Sequence, residues 1–181
     1  RNFGQDYTAT TALVTTANLW SFDTWGEILI GCCDSDGRIW YWDPAATTPL
    51  STEAAIVNTY APTENTSILV SKERHLIAFG AGGNAWYPTV TNSAGSFEID
   101  TTGKIKSAIK VADIILVNTD IDCHEMRYVG APYIYSRRKI AASCGVISRQ
   151  AVAAVTGLAA WMSYDGTFFI YDGSVRPLPC D

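Results

Sequence analysis

Ile28-Leu-Ile-Gly-Cys-Cys33, Asp34-Ser-Asp-Gly37 and Arg38-Ile-Trp-Tyr-Trp-Asp43 follow one another without a break, and their order decides the fold. An apolar run, a turn rich in Asp and Gly, and an aromatic return run together predict a β-hairpin. Tight hairpin turns need positive φ, which Gly, Asn and Asp accept at least cost. Side chains alternate along a strand, so Trp40 and Trp42 fall on one face while Ile39 and Tyr41 fall on the other. Both faces are apolar, as expected of a strand packed between two neighbouring sheets.

The same unit recurs. His75-Leu-Ile-Ala-Phe79 reaches a turn over residues 80–84 and returns as Ala85-Trp-Tyr-Pro88; Ile114-Ile-Leu-Val117 returns through His124-Glu-Met-Arg-Tyr-Val129. Leu158-Ala-Ala-Trp-Met162 turns at Tyr164-Asp-Gly166 and returns as Thr167-Phe-Phe-Ile-Tyr171. The units start at Ile28, His75, Ile114 and Leu158, so successive starts lie 47, 39 and 44 residues apart. One propeller blade occupies roughly 40 to 50 residues. The apolar stretches Thr66-Ser-Ile-Leu-Val70 and Val146 to Val155 are candidate inner strands of four-stranded blades, although alanines in the second also fit a helix. The pattern therefore predicts an all-β chain: a β-propeller with about four visible blades, either small and complete or an arc of a larger one. An antiparallel β-sandwich is the competing architecture; it explains the turns but not the recurring aromatic return strand.

Composition limits function. The 181 residues are 48% hydrophobic and 17% charged, a globular balance for one domain spanning 1–181, and the net charge is -5. That sign gives no overall attraction to nucleic acid or an anionic membrane. The longest apolar run, Ala151 to Met162, is interrupted by Thr156 and Gly157 and falls short of the roughly 20 residues that span a bilayer. A start at Arg1, with no Met and no leader-like stretch, suggests a piece of a longer polypeptide. Cys32, Cys33, Cys123, Cys144 and Cys180 are odd in number and lack C-x-x-C spacing, and are read as reduced thiols.

Candidate chemistry is sparse. His75 and His124 are the only histidines, and Cys123, His124 and Glu125, being consecutive on a strand, do not close round one metal ion. No G-x-S-x-G elbow occurs, and residues 80–83 lack the Lys-Ser/Thr of a phosphate loop. Ser35-Asp-Gly-Arg-Ile-Trp40 is similar to the Asp-box turn of sialidase-type propellers but is two residues short, and Arg38, Arg127 and Arg149 lie in different units. The expectation is no catalytic residue, no metal and no cofactor. Arg137, Arg138 and Lys139 form the one run of three basic residues; it is either a solvated strand edge or a contact with DNA or a neighbouring subunit.

Several segments together resemble the tail-hub or packaged-DNA stabilisation proteins of short-tailed bacteriophages. They are Trp20-Ser-Phe-Asp-Thr-Trp-Gly-Glu27 running into the first hairpin, Trp86-Tyr-Pro-Thr-Val-Thr-Asn-Ser-Ala-Gly95, Tyr128-Val-Gly-Ala-Pro-Tyr133, Cys144-Gly-Val-Ile147, Trp161-Met-Ser163, Phe168-Phe-Ile-Tyr-Asp-Gly173 and Leu178-Pro-Cys180. The order of these segments carries the likeness more than any single one. One departure is the short glycine-rich link between Phe79 and Trp86, where that family has a longer segment, which leaves the blade count open. The resemblance implies a nozzle-type virion protein, assembled in the host cytoplasm into a homo-oligomeric ring below the portal. Its partners would be portal or adaptor and fibre or spike proteins, with transient contact to DNA during ejection. The other readings are a carbohydrate-active propeller, either sialidase-like or a lectin-like receptor binder, and a scaffold propeller that binds peptides.

Overall fold

A computed structural model describes residues 18–45, 55–56, 61–81, 85–89, 95 and 97–179; Cys180, the turn residues 82–84 and the segment 90–94 lie outside the described residues. Strands β1 (Trp20–Trp25), β2 (Ile28–Cys33), β3 (Ile39–Trp42) and β4 (Ala55–Ile56) form the first sheet, and β5 (Ser67–Val70), β6 (Leu76–Ala81), β7 (Ala85–Thr89) and β8 (Phe97–Glu98) the second. The third consists of β9 (Ile105–Val111), β10 (Ile114–Thr119), β11 (Asp122–Tyr128) and β12 (Tyr135–Ala142). The fourth is β13 (Val152–Val155), β14 (Leu158–Met162), β15 (Phe168–Tyr171) and β16 (Val175–Pro177). Each sheet is an antiparallel meander in chain order. Four separate meanders are propeller blades; a sandwich would join them into two facing sheets.

The four hairpins read from the sequence are the second and third strands of the four blades, paired as Ile30↔Tyr41, Ile77↔Pro88, Leu116↔Glu125 and Trp161↔Phe169. The first turn shows why its glycine is there. Gly37 sits at φ +66, and a Cβ would lie 2.3 Å from the Thr63 carbonyl oxygen. Beside it, Asp36 accepts a 2.8 Å hydrogen bond from the Trp40 indole and tethers the aromatic return strand.

The expected inner strand over Val146 to Val155 is shorter than the alternation suggested. Val146 and Ile147 donate their amides to Thr119 and Met162, and Ser148 caps a 3-10 turn over Arg149–Ala151 by accepting from the Gln150 amide. Only Val152–Val155 then pairs as a strand.

The first strands of successive blades lie side by side about the axis. Ser21 and Asp23 of β1 accept from the Ile68 and Val70 amides of β5 at 3.1 and 2.8 Å. Lys110 of β9 reaches both Asp23, at 2.9 Å, and the Val70 carbonyl, at 3.1 Å. The cores lie between the blades. One joins Ile30, Cys32 and Ile39 to Ile68, Val70 and Leu76; a second joins Leu69, Ile77 and Phe79 to Ile105, Val117 and Met126. A third joins Val111, Leu116 and Cys123 to Ala159, Trp161 and Tyr171. Among the described residues, then, four blades share three cores, and none joins the fourth blade to the first. The outward face of the fourth blade carries Val155, Leu158, Ala160, Met162, Phe168 and Ile170, with Val155 66% and Phe168 42% exposed.

The thiols belong to the cores. Cys32, Cys33, Cys123 and Cys144 are buried and free of disulfides. Burial pushes Cys32 up to about 12 and Cys144 up to about 11, and raises Cys123 as well. Since the thiolate is the reactive form, iodoacetamide at pH 8 is expected to leave Cys32, Cys123 and Cys144 unlabelled in the folded protein. All three should label in denaturant, as read by peptide mass spectrometry; rapid native labelling of Cys123 would contradict the packing.

Candidate functional site

The first strands of the blades begin around a common mouth, and a cavity of about 420 Å³ opens there. Its lining draws on three blades and a connection: Leu19 and Asp34 from the first, Thr66 and Gly80 from the second, Lys104 to Lys106 from the third, and Ile147 to Arg149 from the connection into the fourth. Two of these positions are built the same way. Asp34, directly after β2, donates its amide to the Leu19 carbonyl and accepts from the Leu19 amide at 3.0 Å. Asp120, directly after β10, donates to the Lys104 carbonyl and accepts from the Lys104 amide at 2.8 Å. The two aspartates fix where β1 and β9 begin, and so where Lys104 and Lys106 stand.

Arg149 reaches from the connection into the last blade back to the first. Its guanidinium donates to the Leu19 carbonyl at 3.3 Å and lies 3.6 Å from the Asp34 carboxylate, while its Nε is buried without a hydrogen-bond partner. Among the described residues Lys104 and Lys106 enter no ion pair. The lining therefore holds three cations against one carboxylate that is already shared with Arg149 and Leu19.

The basic run lies elsewhere, on β12, the outermost strand of the third blade. Arg137 stacks over the Phe97 ring of the second blade at 4.8 Å. Arg138 pairs with Glu125 at 2.9 Å and Lys139 with Asp122 at 2.8 Å. The run is thus a strand edge whose charges are largely met by the carboxylates of β11, not a bare cationic patch.

The strand Asp122-Cys123-His124-Glu125 splits as alternation requires. His124 hydrogen-bonds Asp122 at 3.0 Å on one face, while Cys123 packs towards the fourth blade on the other. Asp122 also accepts from Thr101 at 2.8 Å and from the Thr119 hydroxyl. Burial works against its charge, but Lys139 and the two hydroxyls outweigh burial and hold its carboxyl below the ordinary value. His75 meets the Tyr135 hydroxyl at 3.0 Å, between the second and third blades. Among the described residues no three of His, Cys, Asp and Glu converge on a point where a metal ion would sit. The three arginines considered for a sugar-acid pocket have separate carboxylate partners: Arg38 with Asp36, Arg127 with Glu125, Arg149 with Asp34.

Sequence reasoning singled out Arg137 to Lys139 and missed the mouth. A signal was present, since Asp34 and Asp120 both follow the second strand of their units directly, but the lysines and Arg149 meet only across blades.

A meandering four-stranded sheet repeated about an axis defines the β-propeller class. No family model and no curated protein matches the chain. Solved structures do share its fold. BBS1N, a β-propeller solved in complex with ARL6DN, is 16% identical with a TM-score of 0.54, over 91% of this chain and 54% of that one. An exported protein of Bacteroides fragilis is 8% identical with a TM-score of 0.53, over 87% of this chain and 49% of that one. The extracellular domain of a hybrid two-component system from B. thetaiotaomicron is 9% identical with a TM-score of 0.53, over 89% of this chain. The chain spans only 22% of the length of that last protein and about half of the other two. At these identities the likeness shows the fold alone.

Proposed function

We propose that this chain is a structural component of a tailed-phage virion, a propeller segment of the tail hub or nozzle ring, which works by packing against copies of itself rather than by turnover. The observation that carries the reading is the apolar outer face of the fourth blade, where Val155, Leu158, Met162, Phe168 and Ile170 stand on one side of a sheet that no described core covers. Large exposed apolar patches mark sites of association, and the faces between the other blades show what such a surface packs against. The ordered resemblance to tail-hub proteins supplies the setting: a ring below the portal that also meets adaptor and fibre or spike proteins and holds DNA until ejection. A net charge of -5 suits a conduit, because a surface that bound phosphate tightly would slow transit.

Light scattering of the purified chain is expected to show concentration-dependent assembly. Burying a Phe or Val side chain contributes about 1.5 to 3 kcal/mol. Val155→Asp and Phe168→Asp should therefore each weaken assembly by about ten-fold or more, with the circular dichroism of the blades unchanged. Imaging of virions and mass spectrometry of their proteins test the setting. A chain that stays monomeric at high concentration, or that is missing from purified particles, would overturn the proposal.

A further inference from the structure

We infer that the axial mouth is a binding site for an oxyanion, a carboxylate or phosphate group carried by a small ligand. The inference does not rest on the virion reading. Three observations carry it. First, the cavity of about 420 Å³ is of the size that takes a small molecule and is lined by three blades and the connection into the fourth, so a ligand there would be held by the scaffold rather than by one loop. Second, its charge opposes that of the chain: Lys104, Lys106 and Arg149 face one carboxylate, Asp34, within a protein of net charge -5. Lys104 stands directly before β9, Lys106 is in it, and the arginine comes from the connection to the next blade, so the fold brings the cationic lining together from separate segments.

Third, the donors there are under-used. A guanidinium offers five N–H donors. Arg149 makes contacts of only 3.3 and 3.6 Å to the first blade through its two terminal nitrogens, which carry further N–H groups, while its Nε is buried away from the mouth. An oxyanion in the mouth provides acceptors for the terminal nitrogens of Arg149 and for two lysine ammonium groups that have no ion pair among the described residues. Ser148 adds a hydroxyl to the lining, whereas the Thr66 hydroxyl already donates towards the Phe79 and Ile105 carbonyls. The nearby Asp120 carboxylate is not part of the lining and accepts from the Lys104 backbone amide. Neutral ligands would leave the cations uncompensated, and a metal ion would meet repulsion.

The test is calorimetric titration of the chain, at low ionic strength, with inorganic phosphate and in parallel with glucuronate. Saturable binding of at least one probe is expected, and the stronger of the two assigns the ligand as phosphoryl or carboxylate. The double variant Lys104→Gln, Lys106→Gln removes two charges without breaking a side-chain contact seen in the structure. It should keep its thermal midpoint and bind about ten-fold more weakly or worse, as hydrogen bonds to charged groups imply. Lys72→Gln, whose exposed ammonium pairs with Asp113 away from the mouth, should bind like the unaltered chain. Lack of saturable binding by both probes, equal affinity in the double variant, or an equal loss in Lys72→Gln would each overturn the assignment.

Discussion

Gly145→Ala is expected to destabilise the protein by about 3 kcal/mol or more, at the upper end of what overpacking a closed site costs. The segment joining the third blade to the fourth lies across the β10–β11 turn, held by two backbone bonds on either side of Gly145: Cys144 to the Ile121 carbonyl at 3.2 Å and Val146 to the Thr119 carbonyl at 2.9 Å. A Cβ at position 145 would lie 2.0 Å from the Asp120 carbonyl oxygen and 2.4 Å from the Ile121 nitrogen. Both are backbone atoms, so no side-chain rotation relieves the clash. The segment must lift, and both bonds and the Cys144 and Val146 packing go with it. Urea unfolding gives the answer directly; a midpoint within error of the unaltered chain would show that the crossing is looser than these contacts imply.

Asp122→Ala has a comparable expected cost of about 3 kcal/mol, for an electrostatic reason. The carboxylate is 2% exposed and serves as acceptor for Thr101, Thr119, His124 and Lys139 at once. Deleting it leaves buried donors unsatisfied, the expensive side of hydrogen-bond energetics. The Lys139 ammonium, 41% exposed, regains water and adds little to the loss. Because the folded carboxyl titrates below its ordinary value of 3.8, the unfolded chain takes up a proton first on acidification. The stabilisation by Asp122 is therefore complete above about pH 5 and fades as pH falls through the ordinary value and then the lower folded one. Glu125 follows the same course: burial opposes its charge, and Arg138 and Arg127 outweigh it to hold its carboxyl low. The gap in urea midpoint between the unaltered chain and Asp122→Ala should be narrower at about pH 3 than at about pH 5. A gap that grows on acidification would contradict the assignment.

What could be read from the sequence was what is local. The hairpin Ile28–Cys33 with its return strand is visible because Asp-Gly chemistry and alternation both act within a few residues, and the observed strand keeps those bounds. The edges of the blades were not legible. β9 reads Ile-Lys-Ser-Ala-Ile-Lys-Val, and its lysines break the apolar pattern. Lys110 is there to bridge Asp23 and Val70, partners 87 and 40 residues away, and Lys106 to line the mouth. β12 looked like a basic patch because its compensating carboxylates are on the neighbouring strand. Counting back equally from the Tyr128–Tyr135 turn pairs Arg138 with Glu125, but that register is visible only once the turn is known to be a hairpin. The mouth was hidden for a related reason: it is made where four connections meet, and no local pattern records that meeting.

Among the described residues each blade takes all four of its strands from one continuous stretch of chain, with no strand exchanged between the first and last sheets. During synthesis a blade can thus be completed as soon as its own segment has left the ribosome, and it then offers the next segment a finished wall against which to condense. Growth of this kind is vectorial, like laying courses of brick. A premature stop after Ala142 would remove the fourth course and bare Val111 and Leu116, yet leave intact the strand pairings of the three laid before it.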